Sequence, residues 1–280
     1  MGFLRVVEVF PPLFPASRKK EDRIQFKDSL ERFLEDARNV QAYADVLLVA
    51  DVKNTGQLKF STLQAAALLK DKLRAAVAPV LVARDLNRPQ FLASVLTGLS
   101  LELDYLMLAW GDSYPSSTRA TNVRDFRTLA EALRESALIR SRAGVSTKFL
   151  APVNVEGLAS RGEAERARGR LRAGADYLLA QPPTTDMATL AGHAKLLRTA
   201  RLTDRVLLNV FPFRDLEDVR ECESYFGWHL PKTLRSAAQK GGDALLEAER
   251  EVVMTLREQG FPGVYLNTRG TPGIAERLLS

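Results

Sequence analysis

Eight short apolar runs recur along the chain, and each is followed by a segment with the pattern of a helix. Val, Leu and Ile dominate these runs, which scarcely alternate with polar residues. Strands of that composition are buried on both faces, as in parallel sheets covered by helices. We therefore predict strands at Leu4–Phe10, Ala44–Ala50, Val77–Ala83, Asp104–Trp110, Lys148–Asn154, Ala175–Gln181, Arg205–Phe211 and Gly263–Thr268.

The segments between these runs predict the helices of an α/β fold, a (β/α)8 TIM barrel. Eight strand–helix units in 280 residues match the usual size of that fold. No linker rich in Pro, Gly or Ser divides the sequence, so we expect a single domain over residues 1–280. The helices are predicted at Phe26–Val40, Thr62–Arg74, Pro89–Leu101, Val123–Arg140, Glu163–Ala173, Met187–Ala200, Leu216–Phe226, Asp243–Gln259 and Thr271–Leu279.

Polar residues stand at the ends of the predicted strands. Chemistry in these barrels takes place at the carboxyl ends of the strands and in the loops that follow them. Two long polar loops, Asp51–Lys59 and Ser113–Asn122, belong on that same face. The functional site is therefore expected among Glu8, Asp51, Asp85, Asp112, Asn154, Gln181, Asn209 and Arg269.

Composition excludes several classes of protein. The net charge of +6 is spread along the sequence, which weakly favours anionic ligands without forming the basic cluster of a nucleic-acid-binding protein. A single cysteine, Cys222, permits no intrachain disulfide and favours a cytoplasmic location. No apolar stretch reaches about 18 residues, so we expect no membrane span. The two histidines lack the spacing of metal ligands, and no metal site is predicted.

Glu8 is the strongest candidate for catalysis. It lies among Val6, Val7, Val9 and Phe10, and apolar neighbours disfavour the charged form of a carboxyl and raise its pKa. A carboxyl that stays protonated near neutral pH can donate a proton in catalysis. The structural alternative is a carboxylate that pairs with an arginine inside the barrel.

Asp112, Gly111 and Gln181 are the next candidates. An ionised Asp112 at the barrel mouth can stabilise a developing cation, although it can also cap a helix. Gly111 allows the backbone to pass close to a ligand. The amide of Gln181 offers a donor beside an acceptor, which matches the edge of a pterin or purine, although it can also brace a loop.

These residues lie in motifs that resemble the methylenetetrahydrofolate reductases. The resemblance covers nearly the whole chain, and its seven short motifs occur in the family's order on the predicted strands. The motifs are Val7–Pro12, Ala83–Arg88, Leu106–Asp112, Ala120–Phe126, Ala173–Gln181, Phe211–Asp215 and Tyr265–Arg269.

The resemblance implies an enzyme that reduces 5,10-methylenetetrahydrofolate to 5-methyltetrahydrofolate with NAD(P)H, usually through FAD. It implies that Glu8 is the acid that opens the folate ring and that Asp112 supports the resulting iminium cation. Gln181, Tyr265 and Arg269 are implied as folate contacts. The residues implied as cofactor contacts are Asp85, Gly111, Ala120, Thr121 and Arg170.

Departures from the family pattern concentrate around the flavin. Val80 stands where the family has a flavin-contacting histidine, and Trp110 stands in place of an arginine. We therefore expect FAD to bind loosely, with direct hydride transfer from a nicotinamide as the close variant. The alternatives are a folate-binding homologue that needs a partner reductase subunit, and another pterin-using barrel such as a methyltransferase. A homo-oligomer is also compatible with the sequence.

Overall fold

The fold is that of a computed structural model. The structure describes residues 2–15, 26–51, 57–111, 125–228, 230–268, 271 and 273–280. Within these residues, eight parallel strands form a closed barrel in the order β1-β10-β9-β8-β7-β6-β5-β3, which confirms the predicted (β/α)8 architecture. The barrel strands are β1 (Leu4–Val9), β3 (Val46–Val49), β5 (Val77–Val82), β6 (Tyr105–Ala109), β7 (Lys148–Asn154), β8 (Tyr177–Gln181), β9 (Val206–Val210) and β10 (Gly263–Asn267).

The alternation of side chains along each strand divides the core into two layers. Val6 on β1 faces the barrel axis and packs with Tyr265, whereas its neighbour Val7 packs outward against the helices. Both directions are apolar because successive side chains of a strand point to opposite faces and both faces are covered here. The inner layer includes Val46, Leu48, Ala78, Met107, Leu150, Leu179 and Leu207.

The surrounding helices begin where the sequence offers a capping side chain. Asn87 accepts a hydrogen bond from the backbone N–H of Gln90, and Ser160 and Asp215 cap their helices in the same way. The helices are α1 (Phe26–Gln41), α2 (Thr62–Leu73), α3 (Arg88–Ser100), α4 (Leu129–Ala143), α5 (Arg161–Arg172), α6 (Met187–Ala200), α7 (Leu216–Phe226), α8 (Lys232–Lys240), α9 (Gly242–Glu258) and α10 (Ile274–Leu279).

The structure differs from the prediction in four elements. Two short strands, β2 (Leu13–Pro15) and β4 (Gln57–Lys59), form a separate antiparallel pair beside the barrel. Helix α8 was not predicted. Helix α4 begins at Leu129 rather than at Val123, because the Thr128 side chain accepts from the backbone N–H of Glu131 and caps the helix there. No helix among the described residues is long and apolar enough to span a bilayer.

Candidate functional site

Glu8 lies near the carboxyl end of β1 and faces the barrel axis. It follows Val6 at the spacing of two that places both side chains in the interior, and its register partners are Leu48 on β3 and Asn267 on β10. The residue is only 8% exposed. The strand therefore holds a carboxyl group in the mouth of the barrel, with apolar side chains beneath it.

The carboxyl of Glu8 is paired with a phenol. The hydroxyl of Tyr265 donates to Glu8 Oε2 over 2.7 Å. Burial raises the pKa of Glu8 from 4.5 to about 7, and the hydrogen bond from Tyr265 offsets part of that rise. The partner of Glu8 is thus a phenol and not the arginine of the structural alternative, and its role as a proton donor stays a prediction.

Tyr265 is itself buried beside the carboxyl that it contacts. Burial and the nearby Glu8 carboxyl raise the pKa of Tyr265 well above its ordinary value. The hydroxyl of Thr268 also donates to the backbone carbonyl of Glu8 over 3.1 Å. Tyr265 and Thr268 thus hold the side chain and the backbone of Glu8.

A cavity of about 220 Å³ opens above this group. Strands from both sides of the barrel line it, so the cavity lies at the carboxyl ends of the strands, where barrels of this kind carry their chemistry. Its wall combines two carboxyls, a phenol, an amide and a guanidinium with apolar side chains. Its lining residues are Glu8, Leu48, Asp51, Val80, Val82, Arg84, Met107, Ala109, Gly111, Pro152, Leu179, Gln181 and Tyr265.

The cavity contains one arginine among its lining residues. Arg84 is 4% exposed, and its backbone N–H donates to the carbonyl of Trp110 over 3.0 Å. Asp51, across the mouth, forms an ion pair with Lys59. Sequence reasoning did not assign Arg84 to the site, although a basic residue directly after an apolar strand was a signal that could have found it.

Gly111 and Gln181 both line the cavity, as expected of ligand-contacting residues. Gly111 has a φ of +82°, and a Cβ there would overlap the side chain of Val82. Gln181 ends β8 with an exposed side chain and also borders a second cavity of about 410 Å³. Their roles toward a ligand stay predictions.

Arg170 does not present its charge to the mouth cavity. Its guanidinium donates to the carbonyl of Pro152 over 2.9 Å and to Glu163 Oε1 over 3.0 Å. These bonds tie α5 to β7 and give the residue a structural task. Four other predicted site residues, Asp112, Ala120, Thr121 and Arg269, lie outside the described residues, as does the side chain of Asp85.

Two polar atoms of the described residues are buried without a hydrogen-bond partner. They are Oδ1 of Asn209 on β9 and Oε2 of Glu249 on α9. No pattern in the sequence predicted that either atom would lack a hydrogen-bond partner. Among the described residues, no group of three or more His, Cys, Asp or Glu side chains could hold a metal ion.

Comparison with known proteins shows the fold. No protein-family profile and no curated protein matches the sequence. A 2,3-dimethylmalate lyase of the PEP mutase/isocitrate lyase superfamily is 13% identical, with a TM-score of 0.53 over 98% of this chain and 76% of its own. An oxaloacetate acetylhydrolase is also 13% identical, with a TM-score of 0.53 over 98% of this chain and 78% of its own. A protein assigned as a phosphonomutase from Burkholderia cenocepacia J2315 is 14% identical, with a TM-score of 0.51 over 95% of this chain and 88% of its own.

The resemblance to the methylenetetrahydrofolate reductases is therefore wrong. Solved structures that the barrel resembles include a lyase, an acetylhydrolase and a protein assigned as a phosphonomutase. The predictions of folate reduction, of FAD and of NAD(P)H are wrong with it, and the methyltransferase alternative finds no support. Each of the seven motifs has only five to nine residues, and sequences this short at strand ends and in the following loops recur among barrels of unrelated function.

Proposed function

We propose that the protein is an enzyme that transfers a proton, through Glu8, to or from a small carboxylate substrate bound in the mouth of the barrel. The observation that carries this proposal is the buried carboxyl of Glu8, held by Tyr265 at the wall of a cavity. Buried carboxyls with perturbed pKa values in a cleft mark candidate sites because catalysis needs groups that titrate near the working pH.

The acidity of Glu8 suits this task. With a pKa of about 7, the carboxyl is present in both protonation states near neutral pH. It can therefore give a proton to a substrate and recover one within a catalytic cycle. Its position among apolar side chains also keeps bulk water from competing for the proton.

The size and charge of the cavity favour a small anion. A volume of about 220 Å³ lies below the usual range of about 300–1,000 Å³ for pockets that hold drug-sized ligands. Arg84 lines the same cavity, and a guanidinium matches the geometry of a carboxylate through paired N–H donors. The net charge of +6 adds a weak attraction for anions.

The names of the similar structures support the same class of substrate. They include a 2,3-dimethylmalate lyase and an oxaloacetate acetylhydrolase, the second also solved with its product oxalate. When a carbon–carbon bond beside a carboxylate breaks, the electron pair stays on the leaving fragment as an enediolate. That fragment must take up a proton, and Glu8 is the group in this cavity suited to supply it.

Proton NMR of reaction mixtures tests the proposal. The purified chain is incubated separately with 2,3-dimethylmalate and with oxaloacetate, each against a blank without protein. We expect turnover of at least one substrate, a loss of about 100-fold or more in Glu8→Gln, and near-normal turnover in Glu249→Gln. The second variant is the matched control, because Glu249 is also a buried glutamate and lies outside the cavity.

Two outcomes would overturn the proposal. The first is that neither substrate is converted and that oxalate, titrated by calorimetry, does not bind. The second is that Glu8→Gln turns over as fast as the unmodified chain.

A further inference from the structure

In the hydrogen bond between Tyr265 and Glu8, the tyrosine hydroxyl donates and the carboxyl accepts. A tyrosine hydroxyl carries a single hydrogen, so it can donate only one bond while its oxygen accepts others. In this structure that hydrogen goes to Glu8, whose Oε2 lies 2.7 Å away. A carboxylate oxygen can only accept, so the phenol is the donor whenever Glu8 is ionised.

We propose that Tyr265 is the positioning residue for Glu8, because its hydroxyl occupies Oε2 and leaves Oε1 as the oxygen that carries the transferable proton. An oxygen that accepts a hydrogen bond from a phenol is a poor site for a second hydrogen between the same two atoms. The acidic O–H is then confined to one oxygen. The value of this arrangement for catalysis rests on the proposed function, whereas the proton's location does not.

Tyr265 does not compete with Glu8 as the proton source. Burial and the adjacent carboxyl raise the pKa of Tyr265 well above its ordinary value, while Glu8 titrates near pH 7. Glu8 therefore loses its proton first as the pH rises. Throughout that titration the phenol stays protonated and keeps donating, so the same oxygen remains occupied in both states of Glu8.

The packing around Tyr265 keeps the phenol in place. The residue is 5% exposed and belongs to the inner layer of the barrel, together with Val6 and Leu207. Its register partners are Val6 on β1 and Asn209 on β9. A ring enclosed by side chains of neighbouring strands has little freedom to swing away, so the bond to Glu8 needs no rearrangement when a substrate arrives.

Removal of the phenol hydroxyl should change the acidity of Glu8 and not only the activity. In Tyr265→Phe the ionised carboxylate loses a donor while the burial that disfavours it remains. The pKa of Glu8 should then rise from about 7 by roughly one pH unit. A residue that merely filled space would leave the acidity unchanged when the ring is kept.

Carbon-13 NMR of the intact chain, labelled at the glutamate carboxyl carbon, measures this shift. The Glu8 signal is identified as the one absent from Glu8→Gln, and it is titrated from pH 5 to pH 9. We expect a midpoint of about 7 in the unmodified chain and a higher one in Tyr265→Phe. Tyr105→Phe is the matched control, because Tyr105 belongs to the same inner layer but does not line the cavity, and its midpoint should not move.

An unchanged or lowered midpoint in Tyr265→Phe would overturn the inference. If that variant does not fold, the unmodified sequence produced with 3-fluorotyrosine decides the matter, since a more acidic phenol is a stronger donor and should lower the midpoint of Glu8. An unchanged or raised midpoint in that protein also overturns the inference. A raised midpoint in a chain that converts neither test substrate would uphold the role of Tyr265 while the proposed function fails.

Discussion

Replacement of Glu8 with glutamine should change how the stability of the protein depends on pH. The unfolded chain exposes Glu8 to water with a pKa near 4.5, while burial in the folded chain raises it to about 7. Between these values the folded state holds a proton that the unfolded state has released. The contribution of Glu8 is therefore most favourable below pH 4.5 and is lost as the pH rises through 7.

The size of the effect follows from the two pKa values. One pH unit of difference corresponds to about 1.4 kcal/mol, so a shift from 4.5 to about 7 corresponds to about 3 kcal/mol. Glutamine has nearly the same shape and does not ionise. The free energy of unfolding of Glu8→Gln, relative to the unmodified chain, should thus increase by about 3 kcal/mol between pH 4.5 and pH 8.

Urea unfolding at a series of pH values measures this difference. Circular dichroism follows the transition, and any offset that does not depend on pH cancels when the two chains are compared. Glu258→Gln is the control, because Glu258 is exposed near the end of α9. The free energy of unfolding of this variant, relative to the unmodified chain, should not change with pH. A Glu8→Gln difference that is equally flat would refute the reasoning, since it would mean that burial leaves the acidity of Glu8 unchanged.

Three further substitutions test other parts of the structure. Burial lowers the pKa of His193 from 6.5 to about 4, so the folded state loses stability as the pH falls from 6.5 to 4. Between pH 7 and pH 4 this lowers the free energy of unfolding by about 3 kcal/mol. Urea unfolding of His193→Gln should not show that loss. Asn209→Leu should raise the free energy of unfolding by about 1 kcal/mol, because it removes a buried acceptor without a partner, and a lower melting temperature would contradict this. Gly174→Ala should lower the free energy of unfolding by about 1–3 kcal/mol, because Gly174 has a φ of +116° and a Cβ there would lie 2.6 Å from the Cβ of Ala137. Gly192→Ala on α6 is its control, because a Cβ there meets nothing within 4 Å and should leave the stability unchanged or raise it.

The barrel could be predicted because its signal is repeated eight times. Each strand is apolar on both faces, and each run is separated from the next by a segment long enough for a helix. The paired strands β2 and β4 could not be predicted in this way, since each has three residues and no periodicity can be read from so few. Helix α8 is similarly short, with nine residues after Pro231, and lies outside the regular alternation.

The site was predictable only in part. Glu8 was found because its own neighbours along β1 are apolar, which is a local property of the sequence. The contact with Tyr265 is not local, since the two residues lie 257 positions apart, and only the pairing of strands brings them together. The buried Oδ1 of Asn209 could not be found either, because whether a polar atom has a partner depends on packing across the barrel.

The pairing of β1 with β10 joins the first described strand of the chain to the last one. Glu8 precedes its partner Tyr265 by 257 positions, so the carboxyl is synthesised well before the phenol that contacts it. The pKa of about 7 comes from burial inside the barrel, which requires these two distant strands to pair. Titration of Glu8 near pH 7 therefore reports that the ring of strands has closed.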